Sequence, residues 1–451
     1  MKKKRILYVL TGLLGAIILG AAIYINALLP IITGYAAKNL CSAVFISGRE
    51  ASKVEDTELN FSFIKYTRNK VDYEHKCVTS RFLWGQSKAI YREGFGSTLL
   101  RGVKEEDLKK VSFPSGTEPA YLQDTIPWPL GNIIPDTATG IDLEAIKGIT
   151  RRVIVDNAYN GNAFAFMVLH KGIPVSEAYK PDFNKNTRFL SWSMAKSFTN
   201  ALIGILVRQG KIDINRPAGI EEWKGDERNK ISVNDLMQMQ SGLEWNEDYG
   251  NRSDVTLMLH CKSDMAHYAM EHRAFRPAGS LWYYSSGTTN IVSYLIRNQF
   301  TDDNLYYSFA HKELFNKTGM TDAVFEVDPA GTIVGSSYLY ASARDYARFA
   351  LLYQNDGVFN GERILPEGWV KYTVSEASAS DGRYGSFFWL NRGRDLPSVP
   401  EDMYACQGHD GQRIFILPSQ ELIVIVLGYS PKSKGGMDFD SLLKDILKTV
   451  S

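Results

Sequence analysis

Serine and lysine residues three positions apart are the first feature of this sequence that could do chemistry. A chain of ordinary composition and this length contains about two Ser-x-x-Lys matches by chance, so the surroundings of each match must distinguish them. The first match lies in alternating, strand-like sequence, where residues three apart point to opposite faces. The third lies on the polar side of the last predicted helix. The three matches are Ser62/Lys65, Ser193/Lys196 and Ser441/Lys444.

The pair Ser193/Lys196 differs because an almost wholly apolar helix begins there. Gly210 is placed to end that helix, so Lys196 lies one turn after Ser193 on the same face. A serine becomes a nucleophile when a base takes its proton. Burial and the positive helix end both lower the pKa of a lysine from about 10.4, which would make Lys196 that base. The alternative is a serine helix cap beside a lysine that reaches solvent.

Two later segments carry groups that such a pair needs. Tyr284 follows a turn and an aromatic cluster, and a tyrosine there can pass protons between a serine, a lysine and a leaving group. Its alternative is a core aromatic whose hydroxyl bonds to the backbone. The Gly-flanked segment 407–412 precedes a predicted strand and can offer backbone N–H groups to an oxyanion. Its alternative is an ordinary turn with His409 in solvent.

Other chemistries find little support in the sequence. No Gly-x-Ser-x-Gly elbow, phosphate loop or dinucleotide fingerprint occurs. His267 and Glu271-His272 lack the spacing of zinc proteases, so we interpret them as helix-surface residues and expect no metal and no cofactor. With 51 basic and 50 acidic residues, nucleic acid is not an expected partner. Core packing is the default interpretation for four aromatic residues that could instead line a pocket: Trp245, Tyr249, Trp282 and Tyr283.

The amino terminus has the composition of a membrane anchor. Basic residues at positions 2–5 precede the apolar run Ile6–Ile25, whose length as a helix is about 30 Å. Positive charge before such a run places the amino end inside and the rest outside. We therefore predict an uncleaved signal anchor over residues 1–30 and an exported domain on the periplasmic or extracellular face. The alternatives are a cleaved signal peptide, for which the run is long, and a buried core helix.

An exported chain would expose its cysteines to an oxidising compartment. Four cysteines allow three complete pairings, and the sequence does not choose among them. We favour a bond between Cys41 and Cys77 only because both lie in the amino-terminal region, and free thiols are an equal alternative. The other two are Cys261 and Cys406. The sequence gives no basis for predicting an oligomeric state.

Strand patterns at both ends of the main domain indicate the core that would position the reactive segments. Phe164–His170 and Val175–Tyr179 are predicted strands joined by a short turn, and so are Arg413–Leu417 and Leu422–Leu427. Short turns favour antiparallel pairing. Helical patterns dominate residues 193–355. We predict an α+β fold, with an antiparallel sheet flanked by helices and a helical lobe, and a transmembrane helix at the amino terminus.

A less regular part precedes the main domain. Alternating segments such as Leu59–Tyr66 are typical of strands, and the Pro- and Gly-bearing stretch that follows is typical of a linker. We therefore divide the chain into a signal anchor (1–30), an amino-terminal extension and linker (31–140), and the main domain (141–451).

Three ordered elements of the main domain resemble the motifs of the serine β-lactamase and penicillin-binding-protein superfamily. The branch of class C β-lactamases, esterases and 6-aminohexanoate-dimer hydrolases looks most similar. The family's Ser-x-x-Lys matches Ser193–Lys196, its Tyr-x-Asn element matches Tyr284–Ser286, and its Lys-Thr-Gly or His-x-Gly element matches His409–Gly411. Two supporting segments, 232–243 and 338–349, are also similar. The resemblance covers the main domain and leaves the first third of the chain outside it.

The resemblance implies an acyl-enzyme mechanism. Ser193 would attack a carbonyl, Lys196 would take its proton, and Tyr284 would pass the proton to the leaving group. The backbone N–H groups of Ser193 and Gln412 would form the oxyanion hole. The neighbouring residues of the matched elements, namely Ser286, His409 and Gly411, would contribute to substrate binding.

Two departures from the family pattern bear on the substrate. Ser286 stands where penicillin-active members carry asparagine, which commonly binds a substrate amide. His409 stands where they usually carry lysine, which helps to bind a substrate carboxylate. We therefore favour hydrolysis of a small ester or short amide. The alternatives are a β-lactamase or peptidoglycan-directed peptidase, and a catalytically silent binding module of the same fold.

Overall fold

The computed structural model describes residues 2–117, 119, 122–137 and 140–450. In its amino-terminal part a long helix packs on a small antiparallel sheet with the strand order β1-β2-β3-β4. The elements there are α1 (Lys2–Phe45), α2 (Ala51–Asp56), β1 (Arg68–Asp72), β2 (Cys77–Phe82), β3 (Gly85–Arg92), β4 (Gly96–Leu99) and α3 (Glu105–Lys109).

Helix α1 has two different environments along its 44 residues. Its large apolar side chains are exposed as far as Tyr24, whereas Leu29, Ala36 and Leu40 are buried. The first part is long and apolar enough to cross a membrane. The second part packs against the small sheet. The helix therefore continues unbroken past residue 30 and into the folded protein.

The strand prediction for Leu59–Tyr66 is wrong. This stretch consists of turns that end in the short 3₁₀ turn Ile64–Tyr66, and Ser62 has a positive φ of 44°. Leu59 and Ile64 are buried while Phe63 is exposed, so the burial does not follow the alternation of a strand. The strands of this region begin only at Arg68.

The middle of the chain forms a helical lobe, as predicted. Its elements are α4 (Leu143–Ile154), β5 (Ala163–His170), β6 (Ile173–Tyr179), β7 (Phe189–Leu190), α5 (Ala195–Arg208), α6 (Val233–Met237), α7 (Asp254–Cys261), α8 (Met265–Met270), α9 (Ser286–Arg297), α10 (Asp303–Ala310), a π-helical turn (His311–Phe315) and α11 (Asn316–Thr318). Strands β5 and β6 belong to the main sheet, and β7 pairs with a later strand.

The carboxy-terminal part completes the main sheet. Its elements are β8 (Val324–Phe325), β9 (Leu339–Ala341), α12 (Ala343–Gln354), β10 (Val358–Phe359), β11 (Glu362–Arg363), α13 (Trp369–Thr373), β12 (Trp389–Leu390), β13 (Tyr404–Gln407), β14 (Arg413–Leu417), β15 (Leu422–Gly428) and α14 (Phe439–Leu447). The six-stranded antiparallel sheet has the order β12-β13-β14-β15-β5-β6, so β15 pairs with β5 and joins the two ends of the domain.

Strand β15 is apolar throughout because both faces of the sheet are covered. Leu422, Val424 and Val426 point into one core with α4 and α14, and the alternate residues point into the other core with α5 and α12. The predicted α+β fold, with an antiparallel sheet flanked by helices and a helical lobe, is confirmed.

All four cysteines lie within the described residues and are free thiols. Cys41 packs in the cluster between α1 and the small sheet, whereas Cys77 packs in a separate cluster with Leu108. The two side chains lie on opposite faces of that sheet, so the favoured Cys41–Cys77 pairing is wrong.

A buried ion pair joins α1 to the main domain. Lys38 Nζ lies 2.5 Å from Glu326 Oε2, and their side chains are 5% and 0% exposed. Glu326 also accepts hydrogen bonds from the Ser42 hydroxyl and the Ser97 N–H, each at 2.7 Å. Because every charge in this cluster has a partner, the amino-terminal part is fixed to the domain that carries the reactive residues.

Candidate active site

The turn before α5 places Ser193. Trp192–Met194 forms a 3₁₀ turn that runs directly into α5, and Ser193 is half-buried there. Trp192 has a φ of 46°, a left-handed conformation that bulky residues rarely adopt and that persists only when the surroundings hold it. The buried indole packs against Tyr35 and Tyr338. These contacts hold the turn on which Ser193 is presented.

Lys196 lies in the first turn of α5 and is 1% exposed. Its Nζ is 3.1 Å from Ser193 Oγ, 3.0 Å from Ser286 Oγ and 2.9 Å from the backbone oxygen of Ser336. Ser286 is the first residue of α9, and Ser336 lies in the loop before β9. Three distant segments of the chain therefore converge on one amine, and the predicted pair Ser193/Lys196 lies within hydrogen-bond distance.

A carboxylate that sequence reasoning missed lies behind Ser286. Glu247 accepts hydrogen bonds from the Ser286 hydroxyl at 2.5 Å, from the Ser286 N–H at 2.9 Å and from the Trp245 indole N–H at 2.6 Å. Its charge lies at the amino end of α9, where the helix dipole favours an anion. The only feature of the sequence that could have indicated Glu247 is its position between two aromatic residues, Trp245 and Tyr249, for which core packing is the default interpretation.

The hydrogen bonds around Lys196 determine which neighbour the lone pair of its neutral amine faces. The Ser336 carbonyl can only accept a hydrogen bond. The Ser286 hydroxyl donates its proton to Glu247, so its oxygen accepts from Lys196. A neutral amine has two N–H bonds and one lone pair, and both N–H bonds are then used. The lone pair is left facing the Ser193 hydroxyl, which is the geometry that a general base requires.

The surroundings also favour the neutral form of that amine. Burial lowers the pKa of Lys196 to about 8, and the Glu247 carboxylate acts in the opposite direction. A substantial fraction of Lys196 is therefore neutral at mildly alkaline pH. An exposed lysine would be almost fully protonated there.

Tyr284 completes the group of side chains around Ser193. Its ring centroid lies 4.8 Å from Lys196 Nζ. Burial raises its pKa well above the ordinary value, and a hydrogen bond with Ser193 acts in the opposite direction. Tyr384 and Trp389 pack against the ring, with centroids 5.9 and 5.4 Å away. The phenol thus stays protonated and lies next to both Ser193 and Lys196.

The segment 407–412 borders the Ser193 turn. The His409 ring lies edge-on to Trp192, with centroids 5.6 Å apart, and stacks on Tyr249 at 5.0 Å. Gly408 approaches the Ser191 carbonyl so closely that a Cβ would lie 2.2 Å from that oxygen. The glycine therefore permits the close approach, and His409 covers Trp192 from outside.

Gln412 and Gly411 hold this segment in shape. The Gln412 side chain donates to the Gly428 oxygen at 2.5 Å and accepts from the Gly428 N–H at 3.0 Å, which ties the turn to the end of β15. Gly411 has a φ of 92°, a value that a side chain would strain. The Gln412 N–H faces the His409 oxygen at 3.5 Å, a long contact that a stronger acceptor can replace.

The histidines set apart in the sequence lie away from this cluster. His267 is exposed in the middle of α8, near Glu222 and Glu271, as expected of a helix surface. His272 is different, because it is half-buried, contacts Asp254 at 3.3 Å and packs on Trp245. Its interpretation as a helix-surface residue is wrong.

The fold and the convergent serine, lysine and tyrosine define a class of enzyme, and comparison with known families identifies it. A model of the family described as Beta-lactamase matches residues 154–445, more than half of the chain. The chain therefore belongs to the beta-lactamase family of serine hydrolases, which also includes esterases and amide hydrolases.

Individual relatives agree with this assignment. A 6-aminohexanoate-dimer hydrolase from Paenarthrobacter ureafaciens is 24% identical over an alignment of 293 residues, and the match covers 59% of this chain and 72% of that protein. A Bacillus anthracis structure provisionally assigned as a 6-aminohexanoate-dimer hydrolase superimposes with a TM-score of 0.54 at 22% identity, covering 65% of this chain and 80% of that chain. EstCE1, a hydrolase with promiscuous acyltransferase activity, gives a TM-score of 0.52 at 12% identity, covering 68% and 99%.

Proposed function

We propose that this enzyme hydrolyses a small ester or short amide through an acyl-enzyme on Ser193, with Lys196 as the general base. The observation that carries the proposal is the arrangement around the buried Lys196 amine, whose two N–H bonds are occupied by Ser286 and Ser336. That arrangement leaves the amine lone pair to accept the proton of Ser193.

The acylation step would proceed in two stages. Ser193 Oγ forms a bond to the substrate carbonyl carbon while its proton moves to Lys196. The carbonyl oxygen becomes an oxyanion, which the backbone N–H groups of Ser193 and Gln412 stabilise. Removing one such donor typically costs about 3 kcal/mol of transition-state stabilisation.

The oxyanion then collapses and the bond to the leaving group breaks. Tyr284 donates its proton to the leaving oxygen or nitrogen and takes the proton held by Lys196, so the site returns to its starting charge. Water attacks the acyl-enzyme by the same route and releases the acid. The protonated phenol beside Ser193 supports this relay.

The proposed substrate preference rests on Ser286 and His409, which stand where the family usually carries asparagine and lysine. Ser286 uses its hydroxyl proton on Glu247, so it offers little to a substrate amide. His409 packs against the rings of Trp192 and Tyr249 and lies 3.3 Å from the Asp410 carboxylate, so it is already engaged where the family usually offers a free lysine to a substrate carboxylate. Ser286 and His409 therefore favour a simple ester or amide over a β-lactam, and 6-aminohexanoate-dimer hydrolase is the name of one relative.

We also propose that the enzyme is anchored in a membrane through the first part of α1, with the catalytic domain on the exported face. The exposed apolar side chains up to Tyr24 support the anchor, and the basic residues before them support the orientation. The division into an anchor (1–30), an extension with linker (31–140) and a hydrolase domain (141–451) belongs to the same proposal.

Labelling with a fluorophosphonate tests the proposed nucleophile. The wild-type protein should be labelled and should hydrolyse short-chain p-nitrophenyl esters, and Ser193→Ala should do neither. Ser441→Ala removes the serine of another Ser-x-x-Lys match and should behave as the wild type. Full labelling of Ser193→Ala would refute the assignment, and an unlabelled wild type would favour a silent module. Turnover of a chromogenic cephalosporin at rates above those of esters would reverse the substrate preference.

A further inference from the structure

The turn between β2 and β3 presents two large apolar side chains to solvent. Leu83 is 62% exposed and Trp84 is 61% exposed. A turn on a soluble surface rarely carries two neighbouring residues of this kind unless they have a partner. Leu83 and Trp84 therefore indicate a surface that contacts a partner in the working enzyme.

The turn lies beside the point where the apolar run of α1 ends. The Trp84 indole N–H donates to Asn26 Oδ1 at 3.0 Å, and Asn26 is the first residue after Ile25. Gly85 packs so closely on Leu29 that a Cβ there would lie 2.6 Å from the Leu29 Cβ. The turn is therefore fixed at the level where the lipid-facing part of α1 gives way to the protein-facing part.

Two more exposed aromatic residues flank the same end of the small sheet. Phe63 is 55% exposed and packs against Phe82, with ring centroids 6.3 Å apart. Tyr66 is 59% exposed and lies two residues before β1. With Leu83 and Trp84 they form an exposed apolar rim, defined here as Phe63, Tyr66, Leu83 and Trp84.

The charged residues of β1 and β2 at this end of the sheet are basic, and Glu55 of α2 is bonded to Asn69 of β1. Arg68 of β1 lies directly opposite Arg81 of β2, and both are exposed. Two like charges in directly opposed positions destabilise a sheet, unless an anion lies between or above them. Lys70 follows on the same face of β1. The acidic residues of these strands and their turn, Asp72 and Glu74, lie at the far end of the sheet, beside the carboxy-terminal end of α1 and away from its exposed apolar part.

We propose that this rim is a second membrane contact of the enzyme. Leu83 and Trp84, with Phe63 and Tyr66, enter the interfacial layer of the bilayer that α1 spans, and Arg68 and Arg81 face the phosphates of anionic phospholipids. Tryptophan and tyrosine are enriched at that level of membrane proteins, and basic residues close to the surface are attracted to anionic lipids. The inference rests on the membrane anchoring proposed above, but not on the catalytic mechanism.

The proposed membrane contact also explains how the junction between the anchor and the catalytic domain can keep a fixed geometry. Pro30 lies one turn after Asn26 within α1 and has no N–H to donate to the Asn26 carbonyl, which weakens the helix at that point. The β2–β3 turn contacts the helix on the amino-terminal side of Pro30, at Asn26 and Leu29. A turn that is embedded in lipid and bonded to α1 would hold the catalytic domain in one orientation to the bilayer.

Nitroxide accessibility in the full-length enzyme, reconstituted in bilayers containing anionic phospholipid, tests the proposal. Three variants, each with one added accessible cysteine, would be labelled: Leu83→Cys in the rim, Tyr73→Cys in the β1–β2 turn at the far end, and Leu14→Cys in the anchor. Each would be made in a Cys261→Ser background, because the other three cysteines are buried. Tyr73 is a matched control because it is 64% exposed. Ester turnover of each variant reports that the domain is folded.

We expect Leu83→Cys to collide with oxygen several-fold more, relative to a water-soluble nickel chelate, than Tyr73→Cys does. Arg68→Gln combined with Arg81→Gln should reduce that ratio in anionic bilayers and leave it unchanged in zwitterionic ones. An aqueous signal at Leu83, equal to that at Tyr73, would overturn the proposal. A lipid signal at Leu14 would then show that the anchor stands without the second contact, whereas an aqueous signal at Leu14 would show that the anchor has failed as well.

Discussion

Tyr35 of the long amino-terminal helix stacks on Trp192, the residue that precedes the nucleophile candidate Ser193. The ring centroids are 6.2 Å apart and the planes are inclined by 22°. Since Trp192 holds a left-handed backbone conformation, its packing partners help to keep the Ser193 turn in place. The amino-terminal part, which lies outside the family match, therefore contributes a contact to the active site.

Replacing Tyr35 with alanine should slow hydrolysis without removing any reacting group. An aromatic pair contributes about 0.5–1.5 kcal/mol beyond its buried area, so we expect kcat to fall by up to about tenfold. Tyr35→Phe should retain most of the activity because the ring remains. Tyr73→Ala, at an exposed position far from Trp192, is the control. If Tyr35→Ala matched the wild type in kcat for a p-nitrophenyl ester, the contact would have no part in positioning Ser193.

Lys196→Ala should lose most of the activity while the fold survives. A general base contributes about 10²- to 10⁴-fold to a rate, and we expect kcat to fall within that range. Lys444→Ala changes the equivalent residue of the Ser-x-x-Lys match in α14 and should leave kcat unchanged. Circular dichroism would check the fold of both variants. An unchanged rate in Lys196→Ala would remove lysine from the mechanism.

The pH dependence of kcat/KM should report the titration of Lys196. The base is active when neutral, and burial lowers its pKa to about 8, so kcat/KM should rise with pH and level off above about 8. Glu247 raises that pKa, so Glu247→Gln should move the rising limb to lower pH. Glu244→Gln, three residues earlier and paired with Arg273 at the surface, is the control. A limb that stays in place in Glu247→Gln would contradict the electrostatic link.

Truncation should separate the two environments of α1. Deleting residues 2–24 removes exposed apolar side chains, so the product should be soluble and active. Deleting residues 2–47 also removes Tyr35, which packs on Trp192, and Lys38, which pairs with Glu326. That product should be inactive or unfolded. Equal ester turnover by the two truncated proteins would show that the second half of α1 is dispensable.

Breaking the buried Lys38–Glu326 pair from one side should destabilise the protein strongly. Lys38→Ala leaves a buried carboxylate without its counter-charge, which typically costs about 3–5 kcal/mol. The double change Lys38→Met with Glu326→Leu removes both charges and should recover much of that loss. Lys448→Ala breaks an exposed pair with Asp445 and should cost less than about 1 kcal/mol. Thermal unfolding of the four proteins would rank them, and a mild effect of Lys38→Ala would contradict the prediction.

The sequence was sufficient to predict the main sheet because its strands have a local signature. Strands β14 and β15 are short apolar runs joined by a four-residue turn, and an antiparallel pair of this kind is specified by neighbouring residues. The grouping of Ser193, Lys196 and Tyr284 could also be predicted. The start of a helix places Ser193 and Lys196 on one face, and the family resemblance adds Tyr284. Their catalytic roles stay predictions.

The parts of the fold and of the candidate site that the sequence did not predict depend on contacts between distant segments. Such contacts leave little trace in a single sequence. Glu247 accepts hydrogen bonds from Ser286, which lies 39 positions later in the chain, and neither local segment predicts that contact. The strand-like alternation at Leu59–Tyr66 was misleading. Packing under α1, and not the two-residue period of a strand, decides which of those residues are buried. Cys41 and Cys77 are close in the sequence, but a sheet separates them, and only the strand register of β2 and β3 reveals that.

The continuous course of α1 sets the working height of the enzyme. Tyr35 lies nine positions after Asn26, a rise of about 14 Å in a helix. With the first part of α1 across a bilayer, as proposed, Ser193 would be held at a short and constant distance from the lipid surface, whereas a flexible tether would let it move through a wide volume. Under the proposed mechanism and anchoring, the ester or amide bonds within its reach would be those of dissolved small molecules and of groups just above the lipid headgroups.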